Sequence, residues 1–281
     1  MNNRLIILAG GLSSRMKNSS IINDLNTKQI EQANERSKGL IEIDAAGNTL
    51  LDYLLDNTVK SGYKIVYIVT SNDGSLFRER FKKYKKLEIK FATQFIPKNR
   101  EKPWGTADAV FQTMVQYPEL HQTQFSVCNS DNLYTLNALR QLRLSESKNT
   151  CIAYDRSALN FSKERVSKFA IMQFDEAYHL INIREKPDIS KVDTFRDKDG
   201  KIRISMNIFA FDGAMSFPFF KNCPVHPQRQ EKEIPTVIAN MLKMYPESMV
   251  GIPMAEHVPD LTCKEDIIKM TAFLINNSNK L

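Results

Sequence analysis

Two glycines follow directly on a short apolar run near the start of the chain, in Leu8-Ala9-Gly10-Gly11-Leu12-Ser13-Ser14-Arg15-Met16. Glycine lets backbone N–H groups come close to a ligand, and an arginine just beyond offers a fixed fork of donors that suits phosphate oxygens. Further polar residues stand at the ends of other β-prone runs. Gln94 closes one, and Asp131 sits in Asn129-Ser130-Asp131-Asn132. Glu185 and Lys186 sit in Arg184-Glu185-Lys186-Pro187, and Asp260 comes after His257-Val258-Pro259. Two aspartates at converging strand ends can hold a Mg2+ ion that also takes phosphate oxygens. Lysines and arginines around them neutralise charge developing at a phosphorus centre. The set points to phosphoryl or nucleotidyl transfer.

Each piece alone has a plainer reading. Asp131 would serve as a helix cap, Asp260 as a loop aspartate, and Glu185-Lys186 as an exposed turn set by Pro187. The aromatic stretch Phe209 to Phe220 reads as core rather than a stacking platform. The glycine turn is neither GxGxxG nor GxxxxGK[ST], which disfavours a dinucleotide site of the Rossmann type and a Walker-type ATPase.

These residues need elements to hold them. Apolar, β-prone runs fall at Arg4–Ala9, Lys64–Thr70, Glu88–Gln94 and Phe125–Asp131. Between them lie helical periods. The clearest is Thr49–Ser61, with Thr49 and Asp52 as a capping box and Gly62 as its stop. Gly105–Gln116 and Leu136–Ser145 read as two more helices. The second half carries strands at Thr150–Tyr154, Lys168–Phe174, His179–Arg184 and Arg203–Phe211, then helices at Glu233–Met244 and Lys264–Asn276. Thr262 and Glu265 are expected to cap the last helix, and Asp197–Gly200 to make a hairpin turn. The alternation predicts an α/β protein: a Rossmann-like three-layer α/β/α arrangement with a mostly parallel mixed sheet. In such a sheet ligands bind beyond the carboxyl ends of the strands, where the polar residues above fall. Lys17–Ser37 is polar throughout, with a helical hint only in Thr27–Arg36, and is expected to be a surface loop or lid.

Composition narrows the class. The chain has 281 residues, 42% hydrophobic and 25% charged, with a net charge of +7. That suits a folded protein with an anionic ligand. The basic run Arg78–Lys90 has its apolar residues at helical spacing, which makes it a solvated helix face rather than a nucleic-acid patch. Cys128, Cys151, Cys223 and Cys263 form no CxxC and have no histidine at metal-ligand spacing, so zinc or a disulfide framework is not expected. The first apolar run is too short for a signal peptide, and no stretch approaches a membrane span. The expected setting is reducing and cytoplasmic, with no membrane and no nucleic acid as partner.

In their order along almost the whole chain, these motifs resemble the sugar-1-phosphate nucleotidyltransferases, the family of glucose-1-phosphate thymidylyl- and uridylyltransferases. The resemblance implies a nucleoside triphosphate and a sugar 1-phosphate as substrates and Mg2+ as cofactor. It implies that Gly10, Gly11 and Arg15 wrap the triphosphate, and that Lys38 in Ser37-Lys38-Gly39-Leu40 grips phosphate. Gln94 and the helix start Gly105-Thr106-Ala107 would read the base. Asp131 and Asp260 would be the metal ligands. Glu185 and Lys186 would hold the sugar phosphate, Glu185 by its hydroxyls, and Asn207 would add sugar contacts. Residues 1–281 would form a single domain, with a nucleotide-binding half at 1–135 and a sugar-phosphate-binding half at 136–281. The family includes homo-oligomers, so self-association is among what the resemblance implies. The chain departs from the family in having Ser13 and Ser130 where glycine is usual, and in a longer segment between Arg15 and Lys38. Its serine-rich turn looks more like that of molybdopterin guanylyltransferases, which keeps a non-sugar phosphate acceptor as the nearest alternative. A non-catalytic nucleotide sensor on the same fold is the other.

Overall fold

The computed structural model describes residues 2–20, 24–185 and 189–277. Among them one sheet contains ten strands: β1 (Arg4–Leu8), β2 (Ile65–Thr70), β3 (Glu88–Thr93), β4 (Gln124–Asn129), β5 (Asn149–Asp155), β6 (Ile171–Phe174), β7 (Leu180–Arg184), β8 (Arg203–Ile204), β9 (Phe209–Asp212) and β10 (Met249–Met254). Ten α-helices accompany it: α1 (Ser14–Asn18), α2 (Thr27–Glu35), α3 (Leu50–Ser61), α4 (Ser75–Phe81), α5 (Thr106–Gln116), α6 (Leu136–Leu144), α7 (Lys163–Val166), α8 (Gly213–Lys221), α9 (Ile234–Met244) and α10 (Glu265–Asn277).

Strands β3, β2, β1 and β4 run parallel in that order, and β9, β5, β8, β6 and β7 continue the sheet antiparallel. β1 is central, with Ile6 opposite both Tyr67 and Val127. Because side chains alternate across a strand, Leu5 and Ile7 pack with Leu54, Leu55, Leu139 and Leu142 of α3 and α6. Ile6 packs on the other face with Val110, Met114, Phe220 and Val237 of α5, α8 and α9. Helices therefore cover both faces, giving the three-layer α/β fold. The parallel strands β1 to β4 bring their carboxyl ends to one edge, which carries Gly10, Gln94 and Asp131.

The capping box of α3 forms as expected: Thr49 Oγ1 accepts from the Asp52 N–H, Asp52 Oδ2 accepts from the Thr49 N–H, and Gly62 closes the helix at φ 95°. Other expectations are corrected. The run Arg203–Phe211 is not one strand; it breaks between β8 and β9, where Asn207 takes a left-handed φ of 56°. The aromatic stretch is core, with Phe209, Phe211 and Phe220 fully buried, but it divides into β9 and α8. There Gly213 fits because a Cβ would fall 1.8 Å from Leu120 O. β10 has no clean sequence signal, since Gly251 and Pro253 interrupt it. Gly251 is covered by the Phe174 ring, and Pro253 is paired with Ala153 on a strand whose one ladder among the described residues is with β5, an edge position that tolerates proline.

The helix in Arg78–Lys90 stops at Phe81, after Phe77 and Phe81 have been buried. The turn expected at Asp197–Gly200 is present, with Gly200 at φ 72° and the Gly200 N–H on Asp197 O. Thr262 and Glu265 do not cap α10. The carboxylate of Asp266 accepts from the backbone N–H groups of Thr262 and Cys263 at 2.8 and 2.9 Å instead. The polar segment before Lys38 holds the ordered helix α2, capped reciprocally by Asn26 and Gln29. Leu25 and Ala33 pack there with Ile41, Leu261, Ile267 and Met270 in a third apolar cluster. Amphipathic spacing too sparse to stand out in sequence is sufficient once α10 supplies the other wall.

Candidate active site

Two neighbouring cavities open on the carboxyl edge, of about 430 and 700 Å3. Arg15, Asn129 and Asp131 line both.

The first cavity begins at the glycine turn. A Cβ on Gly10 would lie 3.2 Å from the backbone of Thr70 and Ser71, so the turn presses on the end of β2. A Cβ on Gly11 would meet nothing within 4 Å, which leaves its backbone bare toward the cavity. Ser13 keeps the left-handed conformation, φ 56°, that glycine would adopt more easily. Its hydroxyl has a use there, since Ser13 Oγ accepts from the Lys38 N–H at 3.3 Å. Arg15 stands exposed on α1. Lys38 is largely buried, and its Nζ lies 2.9 Å from Asp131 Oδ2.

At the far wall, Gln94 is 3% exposed and donates through Nε2 to Gly105 O and to Asp108 Oδ2, each at 2.9 Å. A carboxylate only accepts, so this pairing fixes the amide orientation and makes Oε1 the acceptor left for a ligand. Gly105 has φ +100°, and a Cβ there would lie 2.7 Å from Lys232 O. Thr106 Oγ1 accepts from the Ile234 N–H at 3.2 Å. The start of α5 is thereby locked to the start of α9.

Asp131 and Asp260 are brought together by backbone. Asn132 and Asp260 form an antiparallel bridge, the Leu261 N–H donates to Asp131 O at 2.8 Å, and the Leu133 N–H donates to Pro259 O at 2.9 Å. Burial, and next the Asp131 charge, push the Asp260 carboxyl above its ordinary range, with Arg165 and Lys38 opposing the shift. Arg165 Nη2 donates to Asp260 Oδ2 at 2.6 Å, and its Nη1 donates to Asp266 Oδ1 at 2.5 Å. Two carboxylates that repel across a cleft fit a divalent cation, which relieves that repulsion.

The second cavity is lined by Glu185, Asn207, Arg165, Arg229 and Asp260. Glu185 pairs with Arg229, which also reaches Glu233 at 2.5 Å. Lys186 and Pro187 lie outside the described residues. Arg165 and Arg229 were missed by sequence reasoning. Neither stands at a strand end or in a motif, and only their approach to carboxylates about 95 and 44 residues away marks them.

A family described as nucleotidyl transferase matches residues 4–250, and the chain belongs to that family. Its relatives carry more particular names. The chain is 25% identical over 214 residues to a glucose-1-phosphate adenylyltransferase of Thiobacillus denitrificans, a match covering 73% of this chain and 45% of that protein. It is 26% identical over 220 residues to one from Rhodopirellula baltica, covering 75% and 45%. The chain thus spans a little under half the length of the curated relatives it matches. A crystal structure of UDP-glucose pyrophosphorylase complexed with UDP-glucose superposes with a TM-score of 0.71 at 13% identity, over 99% of this chain and 100% of that one. That likeness is one of fold. No helix among the described residues is long and apolar enough to cross a membrane.

Proposed function

We propose that this protein transfers a nucleotidyl group from a nucleoside triphosphate to a sugar 1-phosphate, giving a nucleoside diphosphate sugar and pyrophosphate. The observation that carries the reading is the pair of cavities that share Arg15 and Asp131. An enzyme joining two phosphorylated substrates needs a donor site and an acceptor site that meet at one set of charges.

In this reading an anionic oxygen of the acceptor phosphate attacks the α-phosphorus. The new P–O bond forms as the α–β anhydride P–O bond breaks, and pyrophosphate leaves with the electron pair. No general base is required, because the attacking oxygen is already deprotonated at neutral pH. Gly10 and Gly11 offer backbone amides to the triphosphate, and Arg15 and Lys38 balance the negative charge of the departing pyrophosphate. Gln94 Oε1 accepts from a base N–H, with Gly105 and Thr106 closing that wall. Glu185 accepts from sugar hydroxyls, Asn207 adds contacts, and Lys186 orients the acceptor phosphate. Asp131 and Asp260 would hold Mg2+, which when bound supplies charge neutralisation between the two phosphates. Holding two substrates in line is worth about 7–11 kcal/mol of the barrier.

The test is pyrophosphate release over a grid of UTP, dTTP, CTP, GTP and ATP against common sugar 1-phosphates, with Mg2+ and with EDTA. Release that needs one triphosphate, one sugar phosphate and the metal is the expected result. Release with a non-sugar phosphate alone moves the acceptor class. No release, with a triphosphate still raising the melting temperature, makes the protein a nucleotide-binding one.

A further inference from the structure

Lys264 is 1% exposed, and its partners among the described residues are backbone oxygens rather than carboxylates. Nζ donates to Met16 O at 3.0 Å, Lys17 O at 3.0 Å and Ser19 O at 2.8 Å. An ammonium group has three donors and no acceptor, so the set is complete. Burying an ion is costly unless such bonds are made, and the end of a helix is where carbonyls lack intrahelical partners. The Lys264 N–H also donates to Ser19 Oγ at 3.1 Å, and Ser19 Oγ donates to Met16 O at 2.8 Å. A residue near the C-terminus thus closes the C-terminal end of α1 from 245 to 248 positions away.

What it closes is the helix that carries Arg15. α1 has five residues, no N-cap side-chain bond to its own N–H groups and one buried side chain, Met16. So short a helix has little stability of its own. Its placement must come from outside: Ser13 Oγ accepts from the Lys38 N–H at one end, Met16 packs in the third apolar cluster, and Lys264 holds the other end. Lys264 itself lies four positions after Asp260 and two before Asp266, whose carboxylate holds both Arg165 and the backbone of Thr262 and Cys263.

We propose that Lys264 is a positioning residue. By holding the C-terminal carbonyls of α1 it sets Arg15 relative to Asp260, so that the triphosphate-binding turn and the second carboxylate move as one unit. The inference rests on the reading of Arg15 as a triphosphate ligand, and displacing a substrate-orienting group by about 1 Å can cost about 100-fold in rate.

The experiment is a double-mutant cycle with amide hydrogen exchange, using Lys264→Met, Arg15→Ala and the double variant. Lys264→Met should speed exchange at residues 14–20 by about 10-fold or more while β1 and β4 stay protected. It should raise KM for the triphosphate by about 10-fold and leave KM for the acceptor within about 2-fold. In the Arg15→Ala background it should add little, because its effect passes through that arginine. Ser19→Ala, a milder change at the same contact, should act in the same direction and carries the test if Lys264→Met does not fold. Unchanged exchange at residues 14–20, or losses that simply multiply in the double variant, overturns the proposal. If the wild type binds a triphosphate without transferring it, the cycle is read from Kd for that triphosphate; coupling there sustains the role of Lys264 while the transfer reading falls. A wild type that binds no triphosphate overturns both.

Discussion

Lys38 Nζ lies 2.9 Å from Asp131 Oδ2, joining residues 93 apart in the chain at the boundary between the two cavities. The lysine enters from a short turn, Lys38–Leu40, and the aspartate from the tip of β4, with Gly39 packed on Ser130. A charge pair here fixes an ammonium and a carboxylate against each other where, in the proposed reaction, donor and acceptor would meet.

Asp131→Asn keeps an acceptor oxygen for Lys38 but loses the charge. Turnover is expected to fall by about 100- to 1,000-fold or more, while stability in urea changes by less than about 2 kcal/mol. Steady-state pyrophosphate release and a denaturation curve measured on the same preparation check this. Full activity at ordinary Mg2+ would refute the proposed metal-holding role of Asp131.

Gly105→Ala places a methyl group 2.7 Å from Lys232 O at a residue with φ +100°. Strain of that kind costs about 1–3 kcal/mol. Because Gly105 O also accepts from Gln94, KM for the triphosphate should rise as well. A wild-type midpoint in chemical denaturation would contradict the strain argument.

Glu185→Gln leaves Arg229 its second partner, Glu233. The expected outcome is a rise of about 10-fold in KM for the acceptor, with KM for the triphosphate within about 2-fold. Initial rates with each substrate varied in turn decide it; an equal rise in both would make Glu185 a structural residue.

His257 gives a pH dependence. Burial, and next the nearby Arg165 charge, lower its pKa from 6.5 to about 4, and its Nδ1 accepts from the Asn160 N–H. Between those values the unfolded chain takes up a proton that the folded protein refuses, so stability is held above pH 6.5 and lost as pH falls toward 4. This one residue contributes a loss on the order of 2 kcal/mol. Urea unfolding of the wild type and of His257→Asn across that range measures the difference; parallel curves for the two proteins would assign the acid sensitivity elsewhere.

The parallel strands β1 to β4, the capped helix α3 and the strand tips that carry Gly10, Gln94 and Asp131 are legible in the sequence. These depend on local rules: apolar periodicity, a capping pair three residues apart, and glycine where the backbone must turn or approach closely. The remainder came from contacts made only in the folded chain. It broke the strand at Asn207, ordered α2 against α10, and moved the cap of α10 from Glu265 to Asp266. It also set Arg165 on Asp260, Arg229 on Glu185 and Lys264 on the end of α1. In the packing of α2 and in the contacts of Arg165, Arg229 and Lys264 the partner comes from a segment distant in the chain. A charged residue on a polar stretch reads as solvent-facing until the folded chain brings a carboxylate or a free carbonyl to it, and desolvation then makes the contact obligatory.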